Sequence, residues 1–203
     1  MLLLLSLALA ADAVPPKDFQ NLRDLPGLRL EMGYATALNF TGAPLPGYAP
    51  GQAWLRAEAA ASLARIQAKL APEGLALVIY DAYRPARASA AMVVWAKGTG
   101  HEAWLKEGYI AEHSKHSAGV AVDIGLAQGG EPLDMGSGWD VFGPEAALRG
   151  ATGEALKNRL RLREVMVAEG WVPYTKEWWH FEYPLPELPK LDVVYGEAEK
   201  TGH

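Results

Sequence analysis

Five residues of this 203-residue sequence have the types and spacing to do hydrolytic chemistry together: Arg84, His116, Asp123, Glu177 and His180. The stretch SKHSAGVAVD, residues 114–123, puts His116 ahead of Asp123, with a Gly and a run of small apolar residues between them. Imidazole nitrogen and carboxylate oxygen are ordinary zinc ligands, and a catalytic zinc takes three protein donors and keeps one position open. Alone, this pair reads as a hydrogen-bonded structural couple. EWWHFEY, residues 177–183, adds His180 as a third donor and Glu177 as a carboxylate three residues before it. Water attacking a carbonyl beside a metal needs a base to take its proton. Residues three apart in a straight strand point to opposite faces. Glu177 and His180 therefore act together only if the chain turns between them, or if Glu177 sits on the loop before the strand. Glu182 shares a strand face with His180, which makes it a rival base or a group that orients the imidazole. The competing reading is an aromatic core strand with an exposed Glu and a packed His. YDAYRP, residues 80–85, places Arg84 where a strand ends and a helix opens. A guanidinium held there can stabilise a developing oxyanion, whereas a surface pair with Asp81 would contribute little.

The elements around these residues read as a single α+β domain. Residues 15–50 are rich in Pro and Gly and are expected to wrap irregularly. Residues 53–71 carry Leu55, Leu63, Ile66 and Leu70 at near-helical spacing, which predicts a helix ended by Pro72 and Gly74. LALVIYD, 75–81, reads as a buried strand. Pro85 suits the first turn of a helix running through Trp95, with Gly98 and Gly100 ending it. GVAVDIGLA, 119–127, reads as a second strand, with Ala121, Asp123 and Gly125 on one face and Val120, Val122, Ile124 and Leu126 on the core face. The small residues beside Asp123 leave room there for a metal ion and a ligand. A Gly- and Asp-rich loop, 128–144, precedes a helix over 153–170 with Leu156, Leu160, Met166 and Val167 inward. WVPY and WWHFEY read as the last strand pair. The expectation is a small antiparallel or mixed sheet, with helices around it and the site at one face.

Composition excludes several function classes. Half the residues are hydrophobic, 21% are charged and the formal net charge is -5, with no clustering of Lys or Arg. That is an ordinary globular composition without a nucleic-acid surface. With no Cys, thiolate metal sites, thiol catalysis and disulfides are absent. No heptad pattern specifies an oligomeric state. Residues 1–13, MLLLLSLALAADA, have the apolar run and small-residue registers of a secretory signal peptide, without a basic residue ahead of them. They are too short to span a bilayer, and no stable membrane anchor is expected. A periplasmic or secreted location follows, with the cytoplasm as the alternative. The tail after about 184 is expected to be loosely ordered.

In this order, the motifs resemble the zinc D-alanyl-D-alanine dipeptidases, the group that includes the vancomycin-resistance dipeptidase. Zinc D,D- and L,D-carboxypeptidases and hedgehog-type metal domains are wider relatives. The resemblance runs from about Tyr34 to Tyr183 and adds YATALNFTG and DMGSGWD to the motifs above. It implies that one zinc ion is held by His116, Asp123 and His180, that Glu177 is the general base and proton shuttle, and that Arg84 stabilises the tetrahedral intermediate. It further implies that Asp140 pairs with the free ammonium of a small dipeptide, and that Ser114 and Tyr34 line the pocket. A carboxylate tuned to an ammonium penalises an acylated amine, which selects free D-Ala-D-Ala. A D,D- or L,D-carboxypeptidase acting on longer stem peptides is the alternative. His113, His101 and Asp134 fall outside the pattern, and Lys115 stands beside His116 as a departure from it.

Overall fold

The computed structural model describes residues 14–196, so the expected signal segment, 1–13, lies outside the described residues. The elements run β1 (Phe19–Asn21), β2 (Arg29–Leu30), β3 (Trp54–Arg56), α1 (Ala57–Leu70), β4 (Leu75–Asp81), α2 (Ala86–Gly98), α3 (Glu102–Glu107), β5 (Ala121–Gln128), β6 (Glu131–Pro132), α4 (Gly153–Ala168), β7 (Val172–Pro173) and β8 (His180–Glu182). Six strands form one mixed sheet in the order β2-β4-β5-β8-β7, with β6 on the end of β5. Among the described strands, only β2 runs parallel to its neighbour, β4. β1 and β3 make a separate antiparallel pair.

The period-two pattern of β4 and β5 makes the core. Leu77 and Ile79 of β4 join Val122, Ile124 and Leu126 of β5. Leu63, Ile66 and Leu70 from α1 and Leu162, Val165 and Met166 from α4 pack in the same cluster. Each such side chain, fully buried, contributes about 1.5–3 kcal/mol. A second cluster, built from α2 and the 34–45 wrap, contains Tyr34, Leu45, Met92 and Val93.

Three expectations need correcting. The predicted helix over 53–71 starts only at Ala57, because Trp54–Arg56 pairs with β1. Backbone pairing there outweighs the helical periodicity. On α4, Leu160 and Val167 are 41% and 46% exposed, while Leu162 and Val165 face the core. The helix is rotated so that Arg159, buried at 1% exposure, reaches the carbonyls of Met135, Glu145 and Ala147. Satisfying a buried guanidinium outweighs burying one more Leu. Finally, part of the stretch expected to be a loose tail, 191–195, is held against the domain. Leu191 donates its N–H to the Ser117 carbonyl and Tyr195 donates its own to Gly47, and Tyr195 is buried among Trp54 and Tyr83.

Candidate active site

The site begins as a row across the sheet. Asp123 pairs with His180 on one side and with Asp81 on the other. The second pairing depends on a register shift between Ile79 and Asp81. Ile79 pairs with Ile124, so an unbroken ladder would set Tyr80 opposite Asp123 and send Asp81 to the other face. One extra residue in the strand re-aims Asp81 toward the site. His116 comes from a 3-10 turn, Lys115–Ala118, just ahead of β5. Ser114 caps that turn by accepting the His116 N–H at 3.2 Å. Gly119 closes it with φ +71°, and a Cβ there would run into the Phe19 ring.

Three donor atoms converge from this scaffold. His116 Nε2 lies 3.1 Å from His180 Nδ1 and 3.3 Å from Asp123 Oδ1, and His180 Nδ1 lies 3.0 Å from Asp123 Oδ1. A tetrahedral ion with bonds of about 2.0–2.1 Å needs donor separations of about 3.3 Å. His116 Nδ1 sits 2.7 Å from the Ala82 carbonyl, which can only accept, so Nδ1 carries the proton and Nε2 presents its lone pair. The donor set therefore fits zinc, and no fourth His, Asp or Glu joins the trio among the described residues. Burial alone would raise the Asp123 pKa, but the two imidazoles hold it well below the usual carboxylate range. Burial opposes a charge on His180, yet its hydrogen bond to Asp123 and the nearby Glu182 push it up to about 10. This acidic surround favours a cation at the site.

A further shell fixes the donors and supplies the reacting groups. Trp139 Nε1 donates to Asp123 Oδ2 at 3.1 Å, leaving Oδ1 for the trio. Arg84 donates to Asp81 Oδ2 through Nε at 3.0 Å and Nη2 at 2.8 Å, and Tyr48 OH donates to Asp81 Oδ1 at 2.6 Å. This Arg84–Asp81 pair is buried, Asp81 entirely so, and is therefore not the weak surface pair that was the alternative reading. Burial alone would lower the Arg84 pKa, and Asp81 reverses that and holds it well above the ordinary value. Tyr34 OH donates to Asp140 Oδ1 at 2.7 Å, while Asp140 Oδ2 is buried with no hydrogen-bond partner among the described residues. Asp140 also has φ +63°, a left-handed conformation that costs a non-glycine residue about 1–3 kcal/mol.

Glu177 lies on the loop before β8, and the chain turns at Trp178 and Trp179, so it meets the trio from outside the strand. Together with Tyr34, Arg84, Ser114, Asp140 and the trio it lines one pocket of about 220 Å³. That is below the ~300–1,000 Å³ of typical ligand sites. Glu182 sits 3.7 Å from His180 Nε2, the nitrogen that does not face Asp123. His113 is exposed and contacts Lys190, outside the trio. Asp134 accepts the Gly136 N–H as a turn residue, and His101 stacks on Trp95. The room expected beside Asp123 at Gly125 is filled, since a Cβ there would meet the Tyr80 ring at 2.9 Å.

Burial pushes the Glu177 carboxyl up to about 8. Its folded pKa exceeds its unfolded value, so the folded state holds the extra proton. The stability this contributes is present below the unfolded pKa and is lost as pH rises through about 8. Metal-free Glu177→Gln is therefore expected to gain stability over wild type from pH 5 to pH 9, on the order of 2–4 kcal/mol. Thermal melts of both proteins at the two pH values check this, and parallel curves would refute it.

A family described as D-ala-D-ala dipeptidase matches residues 17–193, which hold every one of these groups. The chain belongs to this family. It is a hydrolase of the metallopeptidase type. The D-alanyl-D-alanine dipeptidase of Enterococcus faecium is 33% identical over 172 residues, covering 76% of this chain and 85% of that one. The Escherichia coli K12 enzyme of the same name is 36% identical over 165 residues, covering 78% and 80%. Among solved structures, the LdcB LD-carboxypeptidase aligns with TM-score 0.50 and 18% identity over 84% of this chain and 72% of that one. That likeness is one of fold.

In this family member, Asp81, Tyr48 and Trp139 belong to the site although sequence reasoning assigned them no part in it. Asp81 stands in the quoted YDAYRP, and Trp139 directly precedes Asp140, so proximity to a motif was the available signal. Tyr48 had none. Trp139→Phe is expected to weaken zinc binding about 10–100-fold, because the Asp123 carboxylate loses the donor that orients it. Competition with a chromophoric chelator measures this, and unchanged affinity would remove Trp139 from the site.

Proposed function

We propose that this chain hydrolyses free D-alanyl-D-alanine to D-alanine using one zinc ion held by His116, Asp123 and His180. The observation that carries the substrate is the buried Asp140 Oδ2, which lacks a partner among the described residues and lies at the pocket that holds the trio. An unpaired buried carboxylate is costly, and the ammonium of a dipeptide is a cation of the right size and charge to relieve it. The D-alanyl-D-alanine dipeptidase activity for which the relatives are named supports the same reading.

Zinc at the trio would polarise the scissile carbonyl and make a water acidic enough to react near neutral pH. Glu177 takes a proton from the attacking water and delivers it to the leaving amine, so one C–O bond forms and one C–N bond breaks. Burial raises the Glu177 carboxyl above the ordinary carboxylate range, which suits it to hold and return the proton, and the charge of a zinc ion at the trio would favour the carboxylate form that first takes it. Arg84 keeps Nη1 and Nη2 donors beyond those given to Asp81 and Met92, and these stabilise negative charge on the carbonyl oxygen. Ser114 and Tyr34 shape the pocket walls. Export through residues 1–13 and a role in salvaging D-alanine from wall peptides complete the proposal, and a cytoplasmic pool on cell fractionation would overturn that part. No described helix is long and apolar enough to cross a membrane.

The test is D-alanine release by zinc-loaded protein from D-Ala-D-Ala and its N-acetyl form. Cleavage of the free dipeptide alone is expected. Equal or better cleavage of the acetylated form would mean a carboxypeptidase instead.

A further inference from the structure

The C-terminal segment 191–195 lies along the junction that carries Arg84. Ala86 N–H donates to the Leu191 carbonyl at 3.0 Å, and Val193 N–H donates to Tyr83 OH at 2.8 Å. Arg87 Nε pairs with Asp192 at 3.0 Å. At the end of this strap Tyr195 enters the protein. Its hydroxyl donates to the Tyr83 carbonyl at 2.5 Å and accepts the Trp54 N–H at 3.3 Å. Its ring stacks on Tyr48, with centroids 5.5 Å apart and planes at 25°. Tyr48 is the residue whose hydroxyl holds Asp81, and Asp81 takes two hydrogen bonds from Arg84. Tyr195 lies beyond residues 17–193, the stretch that matches the family.

We infer that Tyr195 is a positioning residue for Arg84, acting through the Tyr48 ring and the Asp81 carboxylate. The physical case is one of rotamer control. The Tyr48 hydroxyl occupies Asp81 Oδ1 and thereby directs Oδ2 at the guanidinium. Its ring is held in the orientation that permits this by the stacked Tyr195 ring on one side and the tilted Tyr34 ring, 5.8 Å away, on another. With the Tyr195 ring removed, Tyr48 keeps its tilted contact with Tyr34 but loses the stack. Its hydroxyl is then less firmly held on Asp81 Oδ1, and the carboxylate that grips the guanidinium is left with His116 Nδ1, 3.3 Å from Oδ2, as its other neighbour. A small misplacement of a group that stabilises a transition state can cost about 10²-fold in rate. The inference rests on the reading of Arg84 as the oxyanion donor, but its direct test needs no substrate.

That test is the side-chain Nε–H resonance of Arg84, assigned by its loss in Arg84→Lys. In wild type the Asp81 hydrogen bond protects this proton. Tyr195→Leu keeps apolar volume but removes the stacked ring, and is expected to speed exchange of that proton by at least about fivefold. Tyr195→Phe keeps the stack and should exchange more slowly than Tyr195→Leu, with any rise over wild type reporting the lost bonds to the Tyr83 carbonyl and the Trp54 backbone N–H. Tyr48→Phe removes only the hydroxyl on Asp81 and should match Tyr195→Leu. An unchanged Arg84 signal in folded Tyr195→Leu would overturn the inference. If that variant does not fold, an unchanged signal in Tyr48→Phe does so, because it breaks the link next to Asp81. In turnover, Tyr195→Leu should lower kcat with KM within about twofold, and this loss should vanish in an Arg84→Lys background. Equal fold-losses in both backgrounds would mean that Tyr195 serves stability alone. Failure of wild type to cleave D-Ala-D-Ala would strike the functional reading and leave the exchange result standing.

Discussion

Glu177→Gln is expected to bind zinc as wild type does while its kcat falls by about 10²–10⁴-fold, the range for loss of a positioned acid–base group. The amide has the same shape and fills the same loop position, so the His116–Asp123–His180 trio, whose donors lie within 3.3 Å of one another, is undisturbed. What the amide lacks is a lone pair able to accept a proton at neutral pH. Glu182 cannot substitute, because it lies beside His180 Nε2 and not beside the donor atoms that face Asp123. Zinc content by emission spectroscopy and steady-state kinetics on D-Ala-D-Ala measure the two halves. A variant with full zinc and full activity would sink the mechanism.

The second large effect concerns selectivity. Wild type is expected to prefer free D-Ala-D-Ala over its N-acetyl form by about 10³-fold or more, because the acetylated substrate leaves a buried carboxylate without its cation. Burial pushes the Asp140 carboxyl well up, with Asp123 adding to the effect, while the Tyr34 hydroxyl and the Arg84 charge oppose it. An arriving ammonium reverses that balance and favours the ionised form. Asp140→Asn carries no charge to be left unpaired. It should lose about 10²–10³-fold in kcat/KM on the free dipeptide and little on the acetylated one, bringing the two within about tenfold. Competing the two substrates against each other gives the ratio directly. A ratio unchanged in Asp140→Asn would reassign the ammonium to another group.

The motif residues were legible because each is a chemical type that costs stability without a task. A carboxylate in GVAVD, an arginine at a strand end and a histidine among tryptophans all signalled a polar gathering in an apolar setting. The α+β architecture was legible for the same kind of reason. Leu75–Asp81 and Ala121–Gln128 carry a strand pattern, and Ala57–Leu70 a helical one. The errors arose where a distant partner overrode local preference. Trp54–Arg56 is a strand only because β1 pairs with it, and α4 is rotated only because Arg159 finds three loop carbonyls.

The sequence by itself determined which side chains can do chemistry here: donors for zinc, a base, a guanidinium and a carboxylate for an ammonium. Tertiary structure decided which oxygen and which nitrogen of each faces the others. The register shift at Tyr80 turns Asp81 inward, Trp139 occupies one oxygen of Asp123, and the 191–195 strap reaches Arg84 through two aromatic rings. The physical reason is range. Residue type and periodicity act over a few neighbours, whereas a single inserted residue in a strand, or a ring arriving from more than a hundred residues away, has no local signature until the chain has closed around it.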